Sequence, residues 1–231
     1  VLKKNANRLG AAEKQRISLG RGIVREDTTA VLFDEPLTVI DPYQKLHIRR
    51  KLKQLQRELK LTMIYVTHDQ HEALTFADQV TVMNVGEALQ TGSPRDLHTH
   101  PEAPFVGYFI GSPGMNIFEA TLNGNSVQAG DYTLAFPSGT KSADYSGAAM
   151  KIGIRPEFVK VHTTQQPNTF ACDVTTAYLT GNARILGLNG AGLQFKARVS
   201  DTSTVREGDQ VWAEFPEETT IIYANDRAII T

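Results

Sequence analysis

The run Val31-Leu32-Phe33-Asp34-Glu35-Pro36 constrains this chain most. Apolar residues lead straight into two adjacent carboxylates. That pattern suits a buried strand delivering acidic groups at its end. Phosphoryl transfer to water needs one carboxylate to hold Mg²⁺ and a second group to orient or deprotonate the water. Asp34 suits the first role and Glu35 the second. Taken alone, the run more often marks a strand followed by an acidic turn.

A second run repeats the pattern. Met63-Ile64-Tyr65-Val66-Thr67-His68-Asp69-Gln70 is again an apolar strand ending on polar groups, here with His68. Between the two, Gln44 to Lys60 reads as an amphipathic helix with Ile48, Leu52, Leu55 and Leu59 on one stripe. Upstream, Glu13 to Arg25 is a helix candidate. Downstream, Gln79–Asn84 and Glu87–Thr91 pair as a hairpin across Val85-Gly86, and short helices follow at Pro94–His100 and Pro104–Ile110. Apolar strands alternating with helices predict an α/β region over residues 1–112, with its sheet covered on both faces.

The character changes near Gly111-Ser112-Pro113-Gly114. Residues 113–231 carry short β-branched runs separated by turns, at Lys151–Ile154, Phe158–Val161, Phe170–Tyr178, Ala183–Leu188, Leu193–Val199 and Val211–Phe215. Asn189-Gly190-Ala191-Gly192 is a hairpin turn signal. Pro137–Ala149 and Thr163–Asn168 read as exposed loops. The second region is predicted to be an all-β module of the small-barrel kind.

Charge excludes some partners. Lys plus Arg total 24 against 25 for Asp plus Glu, a net charge of -1. That gives no electrostatic case for nucleic acid. A barrel that binds nucleic acid would interleave exposed aromatics with basic residues, and residues 116–231 lack such a stretch. Cys172 is the only cysteine, so no intrachain disulfide can form. No apolar run is long enough to span a bilayer, so membrane association is expected through a partner.

In order and spacing these elements resemble an ATP-binding-cassette (ABC) ATPase. The resemblance assigns Asp34 and Glu35 to the Walker B carboxylates, with Mg²⁺ on Asp34 and Glu35 catalytic. It assigns Asp41 to the D-loop, His68 to the catalytic switch histidine, and Leu9-Gly10-Ala11-Ala12-Glu13 to the signature that contacts ATP bound by a partner subunit. Ile152-Gly153-Ile154-Arg155-Pro156-Glu157 resembles the arginine-proline-glutamate motif of the OB-like (TOBE-type) regulatory domain of maltose-type carbohydrate importers. The Phe105–Pro113 segment resembles the join to that domain, and the wording around Pro36–Pro42 and Phe105–Met115 is closest to ATPase subunits of bacterial glycerol importers.

Two departures stand out. The Gly-rich phosphate loop ending in Lys-Ser/Thr is absent from the 231 residues, so the chain reads as a C-terminal fragment that scarcely binds ATP alone. The family signature usually reads Leu-Ser-Gly-Gly-Gln; here the serine is gone and methyls replace both glycines, restricting backbone approach to phosphate.

The resemblance implies ATP and Mg²⁺ as cofactors. It implies a second ATPase subunit, two integral-membrane permease subunits and a solute-binding receptor as partners, at the cytoplasmic face of a bacterial inner membrane. Two functions follow from it. One is an ATP-hydrolysing importer subunit for a small carbohydrate or a glycerol-like polyol. The other is a weakly active or regulatory subunit completing a heterodimer. The remaining candidates read as bland. His71, His98 and His100 are expected at the surface, and the basic run Lys45–Lys60 as a solvated helix face. Arg155 and Glu157 are expected to brace the barrel rather than touch a ligand.

Overall fold

The computed structural model describes residues 5–25 and 28–229. They fall into two compact units, residues 1–80 and 81–231.

The first unit is built on two parallel strands, β1 (Ala30–Asp34) and β2 (Thr62–Val66), with Ala30 opposite Thr62 and Asp34 opposite Val66. Parallel strands need a crossover, and α2 (Pro42–Leu59) supplies it. Asp41 starts that helix by accepting a hydrogen bond from Gln44 N at 3.0 Å, and Pro42 sits in its first turn. Lys60 stops it in the left-handed conformation, φ 51°. Two further helices are α1 (Ala11–Ile23) and α3 (Gln70–Phe76). Each of the three helices contributes a buried residue, Leu19, Leu52 and Phe76, to one cluster with Val31 and Phe33 of β1. Leu37 and Ile40, from the loop after β1, complete it.

That packing corrects two expectations. Among the described residues the sheet is covered on one face only. Side chains alternate along a strand, so the face opposite Val31 and Phe33 carries Leu32, Ile64 and Val66, which are 72%, 50% and 54% exposed. All three helices pack on the Val31–Phe33 side, and none lies over the other. The stripe on α2 is also shorter than its periodicity suggests. Leu52 is buried and Ile48 half-buried, but Leu59 is exposed where the helix ends.

The second unit opens with a hairpin, β3 (Val80–Asn84) and β4 (Glu87–Gly92). Val85 and Gly86 both have positive φ, 47° and 83°, as a two-residue hairpin turn of matching twist requires. The short helices α4 (Pro94–Thr99) and α5 (Pro104–Phe109) follow. Ser93 and Asp96 cap α4 reciprocally: Ser93 Oγ accepts from Asp96 N, and the Asp96 carboxylate accepts from Ser93 N.

Eleven strands then form two sheets. They are β5 (Asn116–Asn123), β6 (Ser126–Ala129), β7 (Tyr132–Ala135), β8 (Met150–Ile154), β9 (Lys160–His162), β10 (Phe170–Leu179), β11 (Ala183–Gly190), β12 (Leu193–Ser200), β13 (Gln210–Glu214), β14 (Thr220–Ala224) and β15 (Arg227–Ala228). One sheet runs β15-β14-β8-β5-β6-β7 and the other β12-β11-β10-β13-β9. Their inward faces share one core, in which Phe118, Phe195 and Phe215 cluster with centroids 5.0–6.3 Å apart. The chain is thus α/β in its first part and sheet-rich and OB-like in its second. A short 3₁₀ turn, Ser142–Tyr145, interrupts the stretch read as a loop. Residues 81–112, which the sequence groups with the α/β region, pack within the second unit.

Candidate functional site

The ends of β1 and β2 bring Asp34, Glu35 and His68 together. In a parallel pair both C-terminal ends point the same way, so the polar residues that follow each strand meet. Glu35 N donates to Val66 O at 3.0 Å, extending the ladder one step past β1. Glu35 has φ 45°, a left-handed conformation that costs a residue with a Cβ about 1–3 kcal/mol and concentrates at functional sites. The turn aims its carboxylate at His68. Glu35 Oε1 accepts from His68 N at 3.0 Å and lies 2.6 Å from His68 Nδ1. An ionised carboxylate only accepts, so Nδ1 carries the proton in this contact. The other oxygen, Oε2, accepts from Thr38 Oγ1 at 3.1 Å.

The hydrogen bond from His68 is the main cause that holds the Glu35 carboxyl below the usual carboxylate range. Glu35 is therefore ionised at neutral pH. It is better suited, in this arrangement, to orient a water by accepting its proton in a hydrogen bond than to act as a strong base. Asp34, beside it, is exposed and its carboxylate has no hydrogen-bond or ion-pair partner among the described residues.

A buried network stands behind His68. Asp69 caps α3, its Oδ1 accepting from His71 N at 2.9 Å and Glu72 N at 3.3 Å. Glu72 is 2% exposed. Its Oε2 accepts from Tyr65 Oη at 2.6 Å and from Thr67 Oγ1 at 3.3 Å, and Lys45 Nζ pairs with its Oε1 at 2.9 Å. Burial first, and then the bond to Glu72, push the Tyr65 phenol far above its ordinary range. These contacts tie β2, α2 and α3 together around the turn that carries His68. Sequence reasoning passed over Tyr65 and Glu72 and read Lys45 as part of a solvated helix face, whereas Lys45 pairs with the buried Glu72. The available signal was a tyrosine hydroxyl within an apolar strand, which needs a buried partner.

Asp41 does not join the Glu35–His68 pair; it caps α2. The Leu9–Glu13 run lies at the start of α1. Gly10 is the N-cap residue and offers no side-chain cap; instead Glu13 Oε2 accepts from Gly10 N at 3.0 Å. Leu9 is buried, Ala11 exposed and Ala12 partly packed on the core. Gln15, on the same helix, donates from Nε2 to Glu35 O at 3.2 Å and so links α1 to the carboxylate turn.

Arg155, Pro156 and Glu157 lie in the second unit, just past β8. Arg155 is fully buried, and every hydrogen-bond partner it has is a backbone carbonyl. Nε donates to His98 O at 2.6 Å and Nη2 to Leu97 O at 3.4 Å, in the last turn of α4. Nη1 donates to Gly107 O and Ile110 O at the end of α5. Helix C-termini expose unpaired carbonyls with partial negative charge, and a planar fork of donors suits them. Glu157 Oε1 pairs with His98 Nε2 at 2.9 Å. His98 is thus half-buried and held, not a free surface residue as expected, because its carbonyl and its ring both serve this clamp. Burial, then the nearby Arg155 charge, lower its pKa. His100 is exposed, and His71 lies on α3. Among the described residues no group of three or more His, Cys, Asp or Glu is arranged to hold a metal ion by itself. No helix among them is long and apolar enough to cross a membrane.

Known proteins are similar to this chain in sequence. Residues 111–159 match the MalK OB fold domain and residues 152–222 the TOBE domain. The xylose/arabinose import ATP-binding protein XacK of Haloferax volcanii is 35% identical over 94% of this chain and 58% of its own length. The sn-glycerol-3-phosphate import ATP-binding protein UgpC 1 of Rhizobium johnstonii is 32% identical over 97% of the chain and 61% of its own. The oligosaccharides import ATP-binding protein MsmX of Bacillus subtilis is 34% identical over 93% and 60%. The class is that of chains joining OB-type and TOBE modules to an ATP-binding region. The chain is similar to the C-terminal portion of ATP-binding subunits of ABC importers. It spans about 60% of the length of the curated relatives it matches.

Proposed function

We propose that the full protein is an ATP-hydrolysing subunit that energises uptake of a small carbohydrate or polyol, glycerol-like in size, across a cytoplasmic membrane. The observation that carries this reading is the 2.6 Å contact between Glu35 Oε1 and His68 Nδ1 at the ends of adjacent parallel strands, with Asp34 beside it. Asp34 fits a magnesium role. Its exposed carboxylate is without a partner among the described residues, and Mg²⁺ is commonly bound through one or two carboxylates plus substrate phosphates. When bound, Mg²⁺ would neutralise charge on the transferring phosphate. Glu35 orients the attacking water, and His68, whose ring Glu35 holds through Nδ1, faces the γ-phosphate. Asp41, at the start of α2, serves the loop between subunits, and Leu9 to Glu13 contact ATP held by the partner subunit. The module boundary lies near residue 112, and Arg155, Pro156 and Glu157 organise the regulatory domain.

In this reading the subunit lies on the inner face of a bacterial plasma membrane. It binds a second ATPase subunit and two permease subunits that work with a solute receptor. The 231-residue chain, which contains no Gly-rich phosphate loop, should show negligible phosphate release from Mg-ATP. In the full-length protein Glu35→Gln should keep ATP binding and slow hydrolysis about 10²–10⁴-fold. Normal turnover by that variant would refute the assignment.

One observation favours a second reading, in which the subunit is weakly active and completes a heterodimer. Gly10 starts α1 without a side-chain hydroxyl. The signature of this chain would then serve its partner's site poorly, while Asp34, Glu35 and His68 remain intact. With the whole transporter purified through this subunit, Glu35→Gln should remove most of the activity, and the equivalent change in the partner should matter less. A fully active homodimer would exclude this reading.

A further inference from the structure

A cavity of about 500 Å³ opens on the second unit, lined from α5, the start of β5 and strands β10 to β12. Small-molecule sites span roughly 300–1,000 Å³. Three local features build it. β10 carries a bulge between Val174 and Thr176. The bulge breaks the strand's alternation and brings the hydroxyls of both Thr175 and Thr176 over Gly187 of β11. A Cβ at Gly187 would stand 3.0 Å and 2.5 Å from those two oxygens, so only glycine leaves the hydroxyls this place.

Asn116 fixes the rim. Its Oδ1 accepts from Lys196 N and its Nδ2 donates to Lys196 O, both at 2.9 Å, which pins β5 of one sheet to β12 of the other. Tyr108, at the end of α5, stands beside the opening and is 66% exposed. The chain can pass close behind it because Gly114 has no Cβ; one there would lie 2.3 Å from Tyr108 O.

The lining chemistry selects a ligand class. Thr175, Thr176, Gln194 and Lys196 line this cavity, and none of their side chains has a side-chain partner among the described residues. Hydroxyls and an amide both donate and accept, which suits ligand hydroxyls that do the same. The lining holds one cation and no carboxylate, a poor match for a multiply charged ligand. An exposed aromatic ring offers a flat apolar face next to those polar groups, which suits C–H faces. We propose that this cavity binds a small neutral polyhydroxylated molecule, of polyol to disaccharide size. The proposal stands on unit two alone and does not depend on the nucleotide-site assignment.

The test is a titration of the ¹⁵N-labelled chain with glycerol, xylose, glucose, maltose and inorganic phosphate, read by amide chemical shifts. At least one polyol or sugar should give saturable shifts confined to β10, β11, β12 and the start of β5. Tyr108→Ala and Gln194→Ala should each weaken it by about tenfold, equivalent to 1.4 kcal/mol. Tyr178→Ala, on an exposed ring that does not line the cavity, should leave the affinity unchanged. The proposal is overturned if no polyol or sugar saturates, or if the shifts lie elsewhere. It is also overturned if Tyr108→Ala and Gln194→Ala bind as well as the parent chain, or if phosphate alone binds and Lys196→Ala abolishes that binding.

Discussion

The two polar clusters of this protein solve opposite problems. At the ends of β1 and β2, Glu35 and His68 form a pair open to water, with side chains 37% and 77% exposed. Past β8, Arg155 is sealed from water and surrenders its donors to the carbonyls of two helix ends. The exposed pair is held by backbone geometry: a left-handed Glu35, a ladder bond to Val66 and a capped α3. The buried arginine itself organises the geometry, fixing α4 and α5 against the sheet that carries it. A group meant to meet a ligand must keep free valence and tolerate water. A group meant to brace must be fully satisfied, because a buried charge without partners is costly.

The contrast puts a large stability effect in the second unit, not in the one that carries the proposed chemistry. Arg155→Met should destabilise the second unit by about 3–5 kcal/mol, since it strands the carbonyls of Leu97, His98, Gly107 and Ile110 in a dry site. Urea unfolding of the 231-residue chain measures this. A loss below about 1 kcal/mol would mean that the clamp is not structural.

Next in size is the network behind His68. Tyr65→Phe removes the hydroxyl that donates to the buried Glu72 carboxylate. The loss should be about 1.5–3 kcal/mol, the usual worth of a hydrogen bond to a charged group. It should appear in the unfolding of the first unit and leave the second unchanged.

Smaller still is the effect on the uncovered face of the sheet. Leu32 is 72% exposed, so in this chain Leu32→Thr should change stability by no more than about 0.5 kcal/mol. Phe33, one residue along and buried, should cost about 3–5 kcal/mol when changed to Ala. Equal effects at both positions would show that the face of Leu32 is packed after all.

The pH response should be the weakest. The folded pKa of Glu35 is depressed, chiefly by His68. Its contribution is therefore present above the unfolded carboxylate pKa and is lost as pH falls through the lower folded value. Titrating the His68 ring resonances should show contact with an ionised Glu35 persisting below about pH 4, where free glutamates are largely protonated. Loss of that contact above the ordinary glutamate range would contradict the geometry.

Much of this was legible in the residues. The apolar runs at 30–34 and 62–66 announced the parallel strands, because β-branched and aromatic residues bounded by polar ends have few other uses. Val85-Gly86 and Asn189 to Gly192 announced their turns for reasons of backbone conformation. What stayed hidden depended on tertiary context. An apolar run cannot reveal whether one face or both are covered, so Leu32 and Ile64 looked as buried as Val31. Arginine is ordinarily a surface residue, and nothing local marks Arg155 as buried beneath two helix ends. The bulge at Val174 to Thr176 was illegible for the same reason, since it is defined by register against β11. At the ends of β1 and β2, Asp34, Glu35 and His68 could be named from strand ends and family spacing, whereas Tyr65, Glu72 and Lys45 are joined only by the fold.

The central claim is that Glu35 and His68 act as one unit on a phosphate. A double-mutant cycle in the full-length transporter tests it most directly, with ATP hydrolysis measured for Glu35→Gln, His68→Ala and the pair together. Each single change should slow hydrolysis by about 10²–10⁴-fold, and the double variant should be no more than about threefold slower than the worse single. Multiplicative losses would show that the two residues act independently, and unimpaired hydrolysis in either single variant would contradict the account outright.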